Sequence, residues 1–227
     1  MVEPRRGSLI GRRAILSVGL LLGAIRLAAE PGETTVWRLA DLGSGGGPAI
    51  ERIGSPAVEG GAVRFDGKTT GLLVSANPLA GSERFTIQIL VYPAEGGLPE
   101  QRFFHLQDTA TNRVMIETRL NGKGGWWLDT FLGNSTGGQP LIDPTKVHLT
   151  NHWYWVAIQY DGKIMSDYVE GAQESAAKVA FGPMVAGRLS LGVRQNKVYW
   201  FKGLIREVRF SPEALPPEKL ERLRARP

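Results

Sequence analysis

The sequence predicts an all-β chain folded as an antiparallel two-sheet jelly-roll sandwich with a short C-terminal helix. The first sign is the stretch 153–171, WYWVAIQYDGKIMSDYVEG, where an aromatic and β-branched run stops at Asp161-Gly162 and a second run begins at Ile164. That pattern is a β-hairpin. The second is the run 85–92, in which Phe85, Ile87, Ile89 and Val91 alternate with Thr86, Gln88, Leu90 and Tyr92, so the first set belongs between two sheets. The third is turn chemistry: 29 glycines and 14 prolines in 227 residues suit many short strands joined by tight turns. A chain of this length can bury the core of one such sandwich.

In chain order, residues 36–39 supply a first strand and the glycine cluster 43–48 a turn. The cluster lacks the lysine and the following helix of a phosphate-binding loop. Residues 63–67 and 71–74 then read as a strand pair. After the core strand 85–92, residues 93–100 are a loop and 103–108 a further strand. Residues 114–120 and 126–132 flank Asn121-Gly122-Lys123-Gly124-Gly125 and read as a second hairpin. Residues 134–150 form a long polar loop with two prolines, of the kind that often carries function. Residues 189–193 and 199–210 close the sheets. Pro216-Pro217 opens one or two turns of helix. About ten to thirteen strands result, in a jelly-roll arrangement.

The first 29 residues differ from the rest. A charged start precedes an uncharged apolar run, residues 14–25, and small residues follow at Ala28-Ala29. This is the layout of an export signal, and the run is too short to span a bilayer. Gly11-Arg12-Arg13-Ala14-Ile15-Leu16 resembles a twin-arginine signal, which implies a bacterial protein exported to the periplasm or beyond. An uncleaved signal anchor is the alternative, because Leu27 occupies a position where a small residue is preferred. The segment holds five arginines against Glu3, or +4 of the chain's net +5. The remainder is therefore nearly neutral, and nucleic acid is not an expected partner. Without cysteine, the mature domain 30–227 has no disulfide to rely on.

The run W-x-x-V-A-x-x-Y-D-G at residues 153–162, with the strand ending Tyr168-Val169-Glu170-Gly171, resembles the central hairpin of laminin-G-like domains of the concanavalin A-like lectin/glucanase superfamily. Residues 85–93 resemble that family's early core strand. Residues 201–210, FKGLIREVRF, resemble its late G-x-I-D-E-V-R strand, with Arg206 in place of the aspartate. The resemblance implies a concanavalin A-like jelly roll and a superfamily whose members include lectins, glycosidases, lyases and adhesion modules. It also raises a structural calcium, for which Asp66 and Glu207 are conceivable ligands. Arg206 disfavours that ion, and no other cofactor is expected.

The catalytic motifs of the superfamily's enzymes are missing. There is no E-x-D-x-E or E-x-D-x-x-E strand and no Q-[IV]-H strand. One constellation survives. If the turn at Lys123 pairs Leu120 with Trp126, Glu117 lies opposite Asp129 and Arg119 opposite Trp127, on one face. Two carboxylates, a guanidinium and an indole there can stack a sugar ring and bond its hydroxyls. Trp155 is a second candidate platform, and Tyr199 and Trp200 are candidates for the rim. The expected function is an exported, non-catalytic module that binds glycan through Glu117, Arg119, Trp127, Asp129 and Trp155 on a concave sheet face. The rivals are a structural or docking module for a cell-envelope protein and a divergent polysaccharide lyase or glycosidase.

Overall fold

The computed structural model describes residues 1–2, 32–43 and 47–224. The export segment and the glycine cluster fall largely outside them. Sixteen strands form two antiparallel sheets of eight. The back sheet runs in the order β14 (Ala172–Lys178), β13 (Ile164–Val169), β12 (Tyr154–Tyr160), β6 (Phe85–Pro93), β16 (Lys202–Ser211), β4 (Ala62–Asp66) and β3 (Ala57–Glu59), with β1 (Thr35–Arg38) also pairing with β16. The front sheet runs β10 (Gly137–Ile142), β9 (Gly125–Asn134), β8 (Arg113–Leu120), β7 (Glu100–Asp108), β15 (Gly187–Leu191), β5 (Gly71–Val74) and β2 (Ile50–Ile53), with β11 (His148–Leu149) beside β9. The only helical elements described are 3-10 turns at Leu39–Asp41 and Pro217–Lys219, so the expected C-terminal helix is a single turn. No described helix is long and apolar enough to cross a membrane.

Alternation builds the core. Phe85, Ile87, Ile89 and Val91 are fully buried between the sheets, with Val156 and Ile158 of β12 and Val114, Ile116 and Leu132 of the front sheet. Residues of opposite parity on the back sheet, Thr86, Gln88, Trp155 and Ala157, lie on its outer face, yet they too are buried. The C-terminal segment covers them. Thr86 Oγ1 donates to the Glu213 carbonyl and accepts from Leu215 N–H, Gln88 Oε1 accepts from Glu221 N–H, and Leu215 and Leu220 pack on Ala157 and Tyr168. A polar row is thus satisfied by backbone instead of water.

Two expectations are corrected. Residues 63–67 and 71–74 are strands but do not pair: β4 joins β16 and β3, whereas β5 joins β15 and β2. The reason is local, because the Asp66 carboxylate accepts N–H from Lys68, Thr69 and Thr70, together with the Thr69 and Thr70 hydroxyls. That turn carries the chain from one sheet to the other, and it leaves Asp66 fully engaged. Secondly, the polar stretch 134–150 is not one loop. β10 pairs with β9 from Gly137↔Asn134 to Ile142↔Asp129, and β11 with its start.

One carboxylate lies inside the sandwich. Asp167 of β13 is 2 % exposed, accepting from Thr130 Oγ1 of β9 at 2.9 Å and from Ser175 N–H at 2.9 Å, so it ties the two sheets together. Burial pushes its carboxyl up to about 7, against the opposing effect of both hydrogen bonds.

Candidate functional site

The second hairpin has the register that its turn demands. Asn121 Oδ1 accepts from both Lys123 and Gly125 N–H, which closes the loop and aligns Leu120 with Trp126. Arg119 then faces Trp127 and Glu117 faces Asp129. Thr118, Leu120, Trp126 and Leu128 point into the sandwich, and the other parity forms the outer face of the front sheet.

The next strand adds two residues that sequence reasoning missed. β7 pairs with β8 so that Glu100 faces Arg119 and Arg102 faces Glu117, with a bulge between Arg102 and Phe104. The bulge lets Phe103 and Phe104, neighbours in sequence, both point inward, and each is fully buried. Two adjacent large aromatics were the available sign that alternation breaks here, since strict alternation would expose one of them.

The outer face therefore carries two charged rows. Trp127, Arg119 and Glu100 form one, and Asp129, Glu117 and Arg102 the next. Arg119 donates from Nε to Asp129 Oδ2 at 2.7 Å and from Nη1 to Glu100 Oε2 at 2.5 Å, while its Nη2 lies 3.9 Å from Glu117 Oε2. Arg102 lies 2.7 Å from Glu117 and 2.9 Å from Glu100. Glu117 and Asp129 are nearly inaccessible, at 2 % and 3 % exposure. Burial pushes Glu117 up to about 7, with the Asp129 charge adding to the rise and Arg102 and Arg119 opposing it. Burial also raises Asp129, against the pull of its bond to Arg119. Desolvation works against the Arg119 cation, but the three carboxylates outweigh it and raise its pKa. The arrangement is a rigid polar lattice with a half-buried indole at its edge.

Four of the five expected site residues thus come together: Glu117, Arg119, Trp127 and Asp129. Trp155 does not. It sits on the outer face of the back sheet opposite Leu90, 7 % exposed, with the Arg209 guanidinium 5.2 Å from its ring. Trp127 and Trp155 therefore stand on opposite sides of the sandwich and cannot hold one ligand. Alternation along β12 separates Trp155 from the core but does not say which sheet it covers. Trp153 packs against Tyr92 at 5.5 Å and beneath Arg206 at 4.5 Å, and Tyr199 lies under Arg102 at 3.9 Å. Of the carboxylates raised for calcium, Asp66 is occupied by its own turn and Glu207 bonds Arg209. No group of three or more potential metal-ligating His, Cys, Asp or Glu occurs among the described residues.

Comparison with solved structures finds the same fold at low identity. Domain 4 of AbnA, an extracellular arabinanase from Geobacillus stearothermophilus in complex with arabinotriose, aligns with a TM-score of 0.51 and 20 % identity over 82 % of this chain and 85 % of that one. A pentraxin from Limulus polyphemus gives 0.52 and 16 % over 75 % of this chain and 79 % of its own. A botulinum neurotoxin type C structure, whose cell entry is described as dependent on two ganglioside molecules, gives 0.57 and 12 %. That match covers 76 % of this chain and 44 % of the toxin chain, so this chain spans less than half of it. No curated protein matches in sequence. A laminin-G-like family model matches residues 66–221, which reach from the sheet-crossing turn at Asp66 to the segment that covers the back sheet. With two antiparallel sheets paired as described and that match over more than half its length, the chain belongs to the concanavalin A-like lectin/glucanases superfamily.

Proposed function

We propose that this chain is an exported, non-catalytic module that binds glycan on the outer face of the front sheet. The observation that carries the reading is Trp127, half-buried beside Arg119, Glu100 and Asp129, whose ion pairs fix the polar atoms before any ligand arrives. A sugar presents an apolar ring face and a rim of hydroxyls, and an indole next to immobilised carboxylates and a guanidinium is complementary to both. The arabinotriose complex and the ganglioside-dependent toxin among the structural relatives support a carbohydrate partner. Hydrolysis is a poorer fit, because Glu117 and Asp129 are nearly inaccessible and Asp129 is held by Arg119. The twin-arginine-like segment supports export to the periplasm or the medium.

A second reading has one observation in its favour. Ile142, Val147 and Leu149, near Trp127 on the strands and loop flanking β9, are each more than 45 % exposed. Such a strip suits a protein of the cell envelope. A glycan-array screen of the full chain and of Trp127→Ala, with and without calcium, separates the two. Glycan binding weakened about tenfold or more by Trp127→Ala at unchanged melting temperature supports the lectin-like reading. Silence of the parent protein on the array under both conditions overturns it.

A further inference from the structure

The charged rows around Glu117 end where a different chemistry begins. Next along the front sheet come Phe131, Met115, His105 and Ser190 in one row, then Arg113, Gln107 and Arg188 in another. The loop after β15 folds back over this part. Gln195 N–H donates to His105 Nδ1 at 3.3 Å, Gln195 Nε2 donates to the His105 and Arg188 carbonyls, and Arg188 Nε donates to Gln195 Oε1 at 3.1 Å. The loop adopts a strained backbone to do so, with Lys197 and Tyr199 both left-handed at φ 61° and 58°. Arg194, next to Gln195, is thereby carried onto the face that holds Arg102, His105 and Arg113.

Cations gather here without matching anions. Among the described residues, Arg113, Arg188 and Arg194 have no carboxylate within ion-pair distance. Burial, then Arg102 and Arg113, pull the Arg194 pKa below its ordinary value, with Glu117 opposing. Glu117 is itself already engaged by Arg102. His105, 2 % exposed, is pushed down to about 3 by burial and by the charges of Arg194, Arg113, Arg102 and Arg188. Because its Nδ1 accepts from Gln195, its Nε2 carries the hydrogen, and that buried donor has no partner. Unpaired guanidinium groups held near one another, beside an unsatisfied N–H, are arranged against their own repulsion. An anion placed among the guanidinium groups relieves their mutual repulsion.

We infer that the Arg113, Arg188 and Arg194 end of the front face receives an anionic group, a carboxylate or sulfate, of an acidic glycan. The inference rests on the glycan-binding reading and names its substrate class: a neutral stretch of sugar lies on Trp127, and the charged substituent reaches the arginines. Phe131 and Met115 floor the path between the two ends, with the Arg113 guanidinium 5.4 Å from the Phe131 ring.

The test measures affinity of the full chain for three probes: an oligogalacturonate, a heparin-derived oligosaccharide and arabinotriose. At least one anionic probe is expected to bind tenfold or more tighter than the neutral one, weakening as salt rises from 50 to 500 mM. Oligogalacturonate preference identifies a carboxylate, heparin preference a sulfate. In the double variant Arg113→Gln/Arg194→Gln the anionic preference should fall at least tenfold. Removal of mutually repelling cations should leave the melting temperature unchanged, and if that variant does not fold, exposed Arg188→Gln serves with an expected three- to tenfold fall. Equal affinity for neutral and anionic probes overturns the inference and leaves the glycan reading standing. Anionic preference untouched by the arginine variants overturns the location. Silence with all three probes overturns the inference together with the reading beneath it.

Discussion

The two outer faces of this sandwich solve the same problem in different ways. Each sheet turns a row of polar side chains away from the core, and on each the row is buried: Thr86 and Gln88 on the back sheet, Glu117 and Asp129 on the front. On the back sheet the chain covers its own face, since residues 213–221 donate to and accept from that row and bring Leu215 and Leu220 over Ala157 and Tyr168. On the front sheet the side chains pair with one another through Arg102 and Arg119. Backbone partners leave nothing for a ligand to take up. A lattice of charges beside a half-buried indole, with spare arginines at one end, keeps bonding capacity for an incoming molecule.

Removing the cover should show how much the back face depends on it. Deleting residues 212–227 exposes the apolar surface of Ala157 and Tyr168 and strands the bonding groups of Thr86 and Gln88. A loss of about 5 kcal/mol, or about 10 °C or more in melting temperature, is expected. Unchanged melting would mean that the face is self-sufficient and that the contrast between the sheets is wrong.

The front lattice should break electrostatically instead. Arg119→Ala leaves Asp129, Glu117 and Glu100 without their shared cation, at an expected cost of about 3 kcal/mol at pH 8. Carboxylates whose folded pKa lies above the unfolded value contribute most stability below the unfolded pKa and lose it as pH rises through the folded one. Glu117 and Asp129 are raised already, and loss of Arg119 raises them further. The cost of Arg119→Ala should therefore shrink between pH 8 and pH 5 in urea melts. An equal cost at both values would assign it to packing.

The smallest effect is expected from Asp167, which bridges the sheets from inside. Its folded pKa of about 7 stands above an ordinary carboxyl, so its ionisation destabilises the fold as pH rises from about 4 to 7. Asp167→Asn keeps groups for Thr130 and Ser175 and carries no charge. We expect it to stabilise by about 1–2 kcal/mol at pH 8 and by almost nothing at pH 4. Destabilisation at pH 8 would show that the charge itself holds the sheets together.

Local chemistry made much of this legible in the sequence. Period-two alternation separated Phe85, Ile87, Ile89 and Val91 from Thr86 and Gln88, and a turn closed by Asn121 determined the pairing of β8 with β9. From that register alone, Glu117, Arg119, Trp127 and Asp129 fell on one face. The 3-10 turn at Pro217–Lys219, β10 within a polar stretch and the sheet membership of β4 and β5 were less legible, because each depends on partners far along the chain.

Tertiary structure decided the rest. Only non-local pairing brought Glu100 and Arg102 to Arg119 and Glu117, through a bulge whose sign in the sequence is the pair Phe103-Phe104. Only sheet order put Trp155 across the sandwich from Trp127, and only the folded-back loop set Arg194 and Gln195 beside His105. A strand's sequence states which side chains share a face, since that is fixed by the backbone repeat. What the face meets is fixed by contacts between distant segments, and those are chosen by the burial of the whole chain.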